Sequence, residues 1–329
     1  MMDSIDYSVI IRTTGKAGEK YAQLLQSISQ LSPQPKEVIV VLPEGYDLPP
    51  ERLGWETFCF CKKGMVSQRL HGIRMCNSPY ALIVDDDIAF SSDFVQKLYK
   101  PLRDGQYGLS AGPLLEFFPP RGIQSLFWAV GAAAVPAWNW KSRYTTVLRS
   151  TGYRYNRNVD LTSEKIYEAQ TAAWTCFFAD VEKLRSIHFE DELWLDHMGY
   201  SAHDDTAMFY KAWLRGVKTA IVSTAEYRHL DGKTSTKGRP VQVKQAMGFT
   251  RTVLWHRFFY KQAKILEKPW CVVCFIYRML FQSATDLIRC IAGQRPYAEV
   301  KAYIEGTFYA LKWIKSNEYK NIPPLVDRR

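Results

Sequence analysis

The chain has 329 residues, 47% of them hydrophobic and 14% aromatic, which excludes a disordered protein and supplies core for one large α/β domain with an appendage. Its net charge of +10 is uneven, because residues 248–329 hold 14 Lys/Arg against 6 Asp/Glu and leave only +2 for residues 1–247. A basic C-terminal region suits a polyanionic partner such as phospholipid headgroups; no recognised nucleic-acid-binding module accompanies the charge, so nucleic acid is not expected.

Taken in chain order, residues 7–12 form a β-branched apolar run, and residues 19–31 have helical periodicity. Residues 37–42 read as a second strand and 55–60 as a third, followed by a helix over 65–77 that opens after Gly64. A short, fully buried strand is predicted at 80–84, then a helix capped by Ser91 or Ser92, running to Tyr99 and closed by Pro101. Strands alternating with helices of this length predict a mainly parallel sheet with right-handed crossovers. Beyond residue 107 the pattern loosens: a strand over 109–118, an aromatic, Gly- and Pro-rich run to residue 155 as loop or short helix, and a strand over 173–179. Helices are predicted over 180–186 and 206–215, the second stopped by Gly216, then a strand over 217–223 and helices from Gly248 onward.

The chemistry concentrates in two acidic clusters. Asp85, Asp86 and Asp87 follow the buried strand directly. Adjacent carboxylates at such a place repel one another and lose solvation, and a bound cation is the usual relief. Ligands of open α/β sheets bind at the carboxyl ends of the strands. Asp204 and Asp205 open the later helix beside His203; the helix dipole favours acid there, and a carboxylate separate from a metal site is also what a hydroxyl-activating transferase needs. His229, in Tyr227-Arg228-His229, follows the 217–223 strand and is a further candidate ligand.

In this order the pieces resemble the family 2 glycosyltransferases of the GT-A (nucleotide-diphospho-sugar transferase) fold, bacterial surface-polysaccharide type, over about residues 5–230. Residues 8–14, with Arg12, Thr13 and Thr14, look like the opening strand and nucleotide-binding loop; the segment from Gly64 to Gly72, with Arg69, is similar to the one preceding the acidic motif; Asp85-Asp86-Asp87 contains the Asp-x-Asp; and His203-Asp204-Asp205 looks like the family's acidic pair. The resemblance implies a GT-A-like mixed, mainly parallel sheet flanked by helices. Residues 1–247 would be the catalytic domain, with the donor bound by residues 1–105 and the acceptor by residues 106–247, and residues 248–329 a helical extension. It implies a nucleotide-diphospho-sugar donor held by Arg12, Thr13, Thr14, Glu44, Arg69, Asp85 and Asp86, and Mn²⁺ or Mg²⁺ held by Asp87 with His229 and Asp85. Asp205 would be the general base, supported by Asp204 or exchanging roles with it, and the anomeric carbon would invert. No Gln-x-x-Arg-Trp is present, so addition of a single sugar is expected. Competing readings are a sugar nucleotidyltransferase, for which 12–18 offers only a faint phosphate loop, and a non-catalytic nucleotide-sugar-binding protein.

The remaining expectations concern place. The first residues lack a basic flank followed by an apolar run, so no secretory signal is expected. The seven unevenly spaced cysteines read as thiols of a reducing, cytoplasmic compartment. The two most apolar stretches, 123–140 and 270–291, are broken by Gly131 and Pro136 and by Arg278, Asp286 and Arg289, so neither is expected to cross a bilayer. Arg257, Lys261, Lys264 and Lys268 recur at helical spacing among aromatics. On one helix face they would bind the anionic inner surface of the plasma membrane and place the enzyme beside a lipid-linked saccharide acceptor.

Overall fold

The computed structural model describes residues 5–116, 122–134, 145–156, 160–231 and 238–326. The end of the strand predicted at 109–118 and much of the aromatic run up to residue 155 lie outside them.

Strand β1 (Tyr7–Arg12) is followed by helix α1 (Glu19–Ser29), strands β2 (Glu37–Pro43) and β3 (Thr57–Cys61), helix α2 (Met65–Met75) and strand β4 (Tyr80–Asp85). β1 is wholly buried and β2 nearly so, their apolar runs covered on both faces, as central parallel strands require. Strand β5 (Ile88–Phe90) and helix α3 (Phe94–Arg103) come next. Pro101 does not close this helix as predicted; it sits inside the last turn, buried, and the chain continues helical to Arg103.

Strand β6 is short (Leu109–Ala111), and the irregular middle contributes helix α4 (Ile123–Gly131), the hairpin of β7 (Thr145–Val147) and β8 (Arg154–Asn156), and β9 (Ile166–Ala169). β10 (Cys176–Asp180) leads into α5 (Val181–Ser186), whose first turn is capped by the Asp180 carboxylate accepting from Lys183 N at 3.0 Å. A 3₁₀ segment (Phe189–Asp196), α6 (Asp204–Leu214), β11 (Thr219–Val222) and β12 (Tyr227–His229) complete the sheet region. Gly216, at φ +80°, takes the left-handed conformation that ends α6.

The main sheet has the order β3-β2-β1-β4-β10-β6-β11-β9. β3, β2, β1 and β4 are mutually parallel, while β10 runs antiparallel between β4 and β6. The carboxyl ends of β1 and β4 therefore lie side by side, with Arg12 in register with Asp85. A separate two-stranded ladder pairs β5 with β12 and sets His229 opposite Ile88. That ladder brings the histidine to the end of the Asp85–Asp87 turn.

Helix α7 (Pro240–Leu254) passes through residue 247 without a break and packs closely on α9 (Tyr297–Trp313). Two glycines permit the approach: a Cβ at Gly248 would fall 2.1 Å from the Tyr303 carbonyl oxygen, and one at Gly306 would fall 2.0 Å from that of Gln245. After a π-helical turn (Trp255–Tyr260), a 3₁₀ turn (Ile265–Glu267) leads into α8 (Lys268–Ile291), and α10 (Asn317–Lys320) closes the described helices.

The predicted basic stripe does not exist as one helix face. The chain breaks twice between Arg257 and Lys268, and Arg257 points inward, 2% exposed. Its Nε and Nη2 donate to Glu192 at 2.7 Å each, and Glu192 also accepts from Lys211 Nζ at 2.9 Å and Trp194 Nε1 at 2.7 Å. This buried cluster bolts the C-terminal helices to the sheet domain. The expectation that no segment is long and apolar enough to cross a membrane also fails: 265–291 passes by length and composition, since its charges are spread thinly along it. Only 22% of its most apolar window is buried.

Breaking a buried ion pair by removing one partner costs about 3–5 kcal/mol. Glu192→Gln, which leaves Arg257 and Lys211 without this countercharge, should lower the urea unfolding free energy by about that amount. A loss below about 1 kcal/mol would show that apolar packing alone holds the C-terminal helices.

Candidate active site

At the carboxyl ends of β1 and β4 lies a cleft of about 880 Å³. Its lining includes Arg12, Arg69, the three aspartates Asp85–Asp87, Asp204, Asp205 and His229, so the structure brings together eight of the eleven predicted site residues. Thr13 sits just behind the lining and donates its hydroxyl to Asp86 Oδ2 at 2.6 Å. Thr14 and Glu44 do not line the cleft; Glu44 is exposed beyond the end of β2.

The site is organised around Arg69, which α2 carries inward and whose guanidinium lies 4.6 Å over the Trp174 ring. Nη2 donates to both oxygens of Asp85 (2.7 and 3.0 Å), and Nη1 donates to Asp204 Oδ2 at 3.0 Å. Arg12 Nε adds a third bond to Asp85 at 3.0 Å. Asp85, expected on the metal or the nucleotide-sugar, thus holds two arginines with its side chain, while its backbone N–H donates to Thr175 O at 2.8 Å. Burial works against the charge on Arg12, and the fields of Asp85 and Asp86 outweigh it, holding the guanidinium protonated more firmly than usual.

The start of α2 is fixed by a residue far along the chain. Asp196 accepts from the backbone N–H groups of Val66 (3.1 Å) and Ser67 (2.8 Å) and from the Ser67 hydroxyl (2.7 Å). A carboxylate at a helix N-terminus satisfies orphan donors and favours the dipole. Gln68, one residue before Arg69, donates to Thr13 O and Val41 O at 2.8 and 2.9 Å and ties the helix to the β1 loop.

The other carboxylates differ in environment. Burial pushes Asp86 up to about 6 against the pull of Arg12 and Thr13. Asp87 faces His229, with Oδ2 and Nε2 3.4 Å apart, and His229 Nδ1 lies 3.6 Å from Glu116 Oε2. The Asp87 contact raises the histidine's affinity for a proton. Among the described residues no three His, Cys, Asp or Glu side chains form a ready-made metal cage. Asp87 with His229 is instead a two-ligand arrangement of the kind that holds an ion jointly with substrate phosphate and water.

Asp204 and Asp205 open α6 as predicted, after His203 in a left-handed conformation at φ +66°. Burial pushes Asp204 up to about 7, with Arg69 opposing and Asp205 and Asp85 adding. Asp205 is held by Arg154, at the start of β8. Next to this pair, His203 Nε2 accepts from Arg251 Nη2 at 3.2 Å, and burial together with Arg251 keeps the imidazole neutral.

Arg154, Arg251, Glu116, Trp174 and Tyr200 line the cleft without having been picked from the sequence. Arg154 lies in the irregular middle and Arg251 on a helix far along the chain from the first motif, so spacing alone carries no signal for either. The exception is Trp174, which immediately precedes Thr175 and the β10 strand and has the aromatic surface an arginine stacks on.

Residues 61–174 match the family model described as "Glycosyl transferase family 2". No curated protein matches the chain. Among solved structures, GalNAc-T7 with UDP, GalNAc and Mn²⁺ is 11% identical at a TM-score of 0.49, over 90% of this chain and 59% of that one. The mannosyltransferase PcManGT from Pyrobaculum calidifontis, in complex with GDP-Man and Mn²⁺, is 13% identical at 0.49, over 96% and 89%. S. aureus TarS 1–349 is 15% identical at 0.41, over 94% and 92%. These overlaps are loose, and the chain spans only 59% of GalNAc-T7. The matched segment holds α2 with Arg69, the β4 strand and Asp85–Asp87, on a mixed, mainly parallel sheet flanked by helices. By that segment the chain is similar to the family 2 glycosyltransferases.

Proposed function

We propose that the protein is an inverting, metal-dependent enzyme that moves a single sugar from a nucleotide-diphospho-sugar to the hydroxyl of a saccharide acceptor, lipid-linked and belonging to cell-surface polysaccharide synthesis. The observation that carries the reading is the division of labour among carboxylates in one cleft: Asp87 faces a ligand-type histidine, and Asp205 stands apart at the start of α6. Residues 1–105, joined by His229, would supply most of the donor site, and residues 106–247 most of the acceptor site.

Asp87 and His229 would hold Mn²⁺ or Mg²⁺, which when bound neutralises charge on the departing diphosphate. Arg12, Thr13 and Asp86 form the buried wall at the end of β1 against which the nucleoside would lie. Asp85 has both oxygens committed to arginines and serves to fix Arg69 rather than to ligate metal. Asp205 takes the acceptor's proton as the hydroxyl attacks the anomeric carbon from the face opposite the leaving group, which inverts that carbon. In the structure Arg154 holds that carboxylate, so the acceptor hydroxyl must share it with, or displace, the guanidinium. Asp204, held by Arg69 and accepting from Asp205 N at 2.8 Å, fixes the start of the helix that carries the base.

Incubation with Mn²⁺ and a panel of nucleotide-sugars, with nucleoside diphosphate release as readout, tests the reaction. Release should require the metal, and Asp205→Asn should lose about 10²–10⁴ in transfer rate while keeping donor affinity. Release that persists in EDTA would remove the metal, and full activity in Asp205→Asn would reduce the acidic pair to a helix cap.

We place the enzyme peripherally at the cytoplasmic face of the membrane, consistent with seven free cysteines. The support is α8, whose polarity is inverted for a helix packed on a soluble protein. Arg278 and Asp286 face the body, while Leu266, just before it, is 92% exposed and Trp270, Leu280 and Ile288 are 60–66% exposed. α4 lies against it through Phe127 and Phe281, rings 5.1 Å apart, and adds exposed Ile123 and Leu126. Lys264 and Lys268 bracket the apolar face at one end and Arg289 at the other, which matches an anionic lipid surface. Vesicle co-sedimentation should show binding to anionic lipid that falls with salt and is lost in Trp270→Ser with Leu280→Ser. Binding unaffected by that double substitution would assign the face to another partner.

A further inference from the structure

We infer that the acceptor carries a phosphate group, which Arg251 and Arg278 hold beside Asp205. This deepens the proposed transfer reaction and rests on it.

Positive charge at this end of the cleft is in excess. Three guanidinium groups, those of Arg154, Arg251 and Arg278, lie within electrostatic reach of one another and of His203. Asp205 answers only one of them, through Arg154. Arg251 contacts neutral groups: His203 Nε2, and the Tyr303 hydroxyl at 3.2 Å. Arg278 lies 5.3 Å over the Tyr153 ring, and its Nε and Nη1 are buried without any hydrogen bond. Residues 117–121, 135–144, 157–159 and 232–237 contain no Asp or Glu, so no countercharge comes from those segments. Burial and Arg251 together push the Arg278 guanidinium down to about 9, still charged at neutral pH. Among the described residues neither Arg251 nor Arg278 has a carboxylate partner, and two arginines kept charged in a partly buried place are expensive unless an anion joins them.

The unmade bonds specify which anion. Because Arg251 donates to Nε2 of a neutral imidazole, the His203 proton sits on Nδ1, and that nitrogen too is buried without a partner. His203 and Arg278 therefore present three donor atoms without partners and no orphan acceptor, and the two side chains lie within electrostatic reach of each other. A phosphate group has three acceptor oxygens and, as a monoester, close to two negative charges at neutral pH. It matches both the donor count and the charge excess. The neighbouring residue is the proposed base, so the phosphate belongs to the molecule that brings the hydroxyl. The donor's diphosphate falls instead to Asp87 and His229.

Calorimetry of the full chain with inorganic phosphate, in EDTA so that no metal recruits it, tests the site. Wild type should bind phosphate, and Arg251→Gln and Arg278→Gln should each weaken binding about tenfold or more. Arg278→Lys, which keeps the charge, should weaken it less. Both glutamine variants should bind nucleoside diphosphate with Mn²⁺ as wild type does, which also shows that they are folded. Phosphate affinity unchanged in both glutamine variants would overturn the proposal, as would a parallel loss of manganese nucleoside diphosphate binding, which would give the arginines to the donor. Wild type that binds no manganese nucleoside diphosphate but keeps the arginine-dependent phosphate site would sink the transfer reaction alone. Displacement of phosphate by a soluble hexose phosphate, against displacement by vesicles containing phosphatidic acid, separates a soluble from a lipid-linked source; either result supports the site.

Discussion

The cleft rests on one constraint: carboxylates converging at one end of a buried sheet need nearby positive charge to remain there. Arg69 meets that constraint for two of them at once. Its fork spans Asp85, at the end of β4, and Asp204, at the start of α6, and its flat face lies on Trp174. A lysine could not do the same, because it offers a point charge where two carboxylates in different directions need a planar fork. With Arg12 sharing Asp85, the two arginines leave Asp87 and Asp205 at the cleft for other partners. The residues proposed to meet metal and acceptor are thus the ones Arg69 and Arg12 do not occupy.

Much of this was legible in the sequence. Central parallel strands are apolar on both faces, so residues 7–12, 37–42 and 80–84 stood out as runs, and their parallel pairing followed from the helices between them, whereas the antiparallel β10 between β4 and β6 did not. The acidic clusters were visible because adjacent carboxylates after a buried strand are hard to explain otherwise. What Arg69 does was not visible, since its partners lie 16 and 135 positions away and only the fold joins them. The same holds for His229. It was picked as a ligand, yet it reaches Asp87 through a ladder of two three-residue strands too short to leave a periodic signal.

The C-terminal region shows how a local pattern misleads. Four basic residues at helical spacing predicted one charged face, but nothing in Trp255–Tyr260 announces a π-helical turn, and no spacing reveals that Arg257 has a buried Glu192 to meet. Of the charge that seemed to face a membrane, Arg257 works inside the fold, while Lys261 and Lys264 stay exposed. The surface proposed to meet lipid lies on α8, where Arg278 and Asp286 read in the sequence as interruptions. They turn inward, and the apolar residues between them turn out. One helix thereby presents an apolar face to the outside and a cation, Arg278, to the Tyr153 ring on the inside.

The bridging role of Arg69 is tested most directly by the cost of removing it in two backgrounds. Urea unfolding of Arg69→Met should show a loss of about 3–5 kcal/mol, as for breaking a buried ion pair. In a background of Asp85→Asn with Asp204→Asn, where no buried charges depend on the guanidinium, the same substitution should cost far less, a difference that a mutant cycle isolates. An equal loss in both backgrounds would contradict the account, because Arg69 would then matter only for its packing on Trp174.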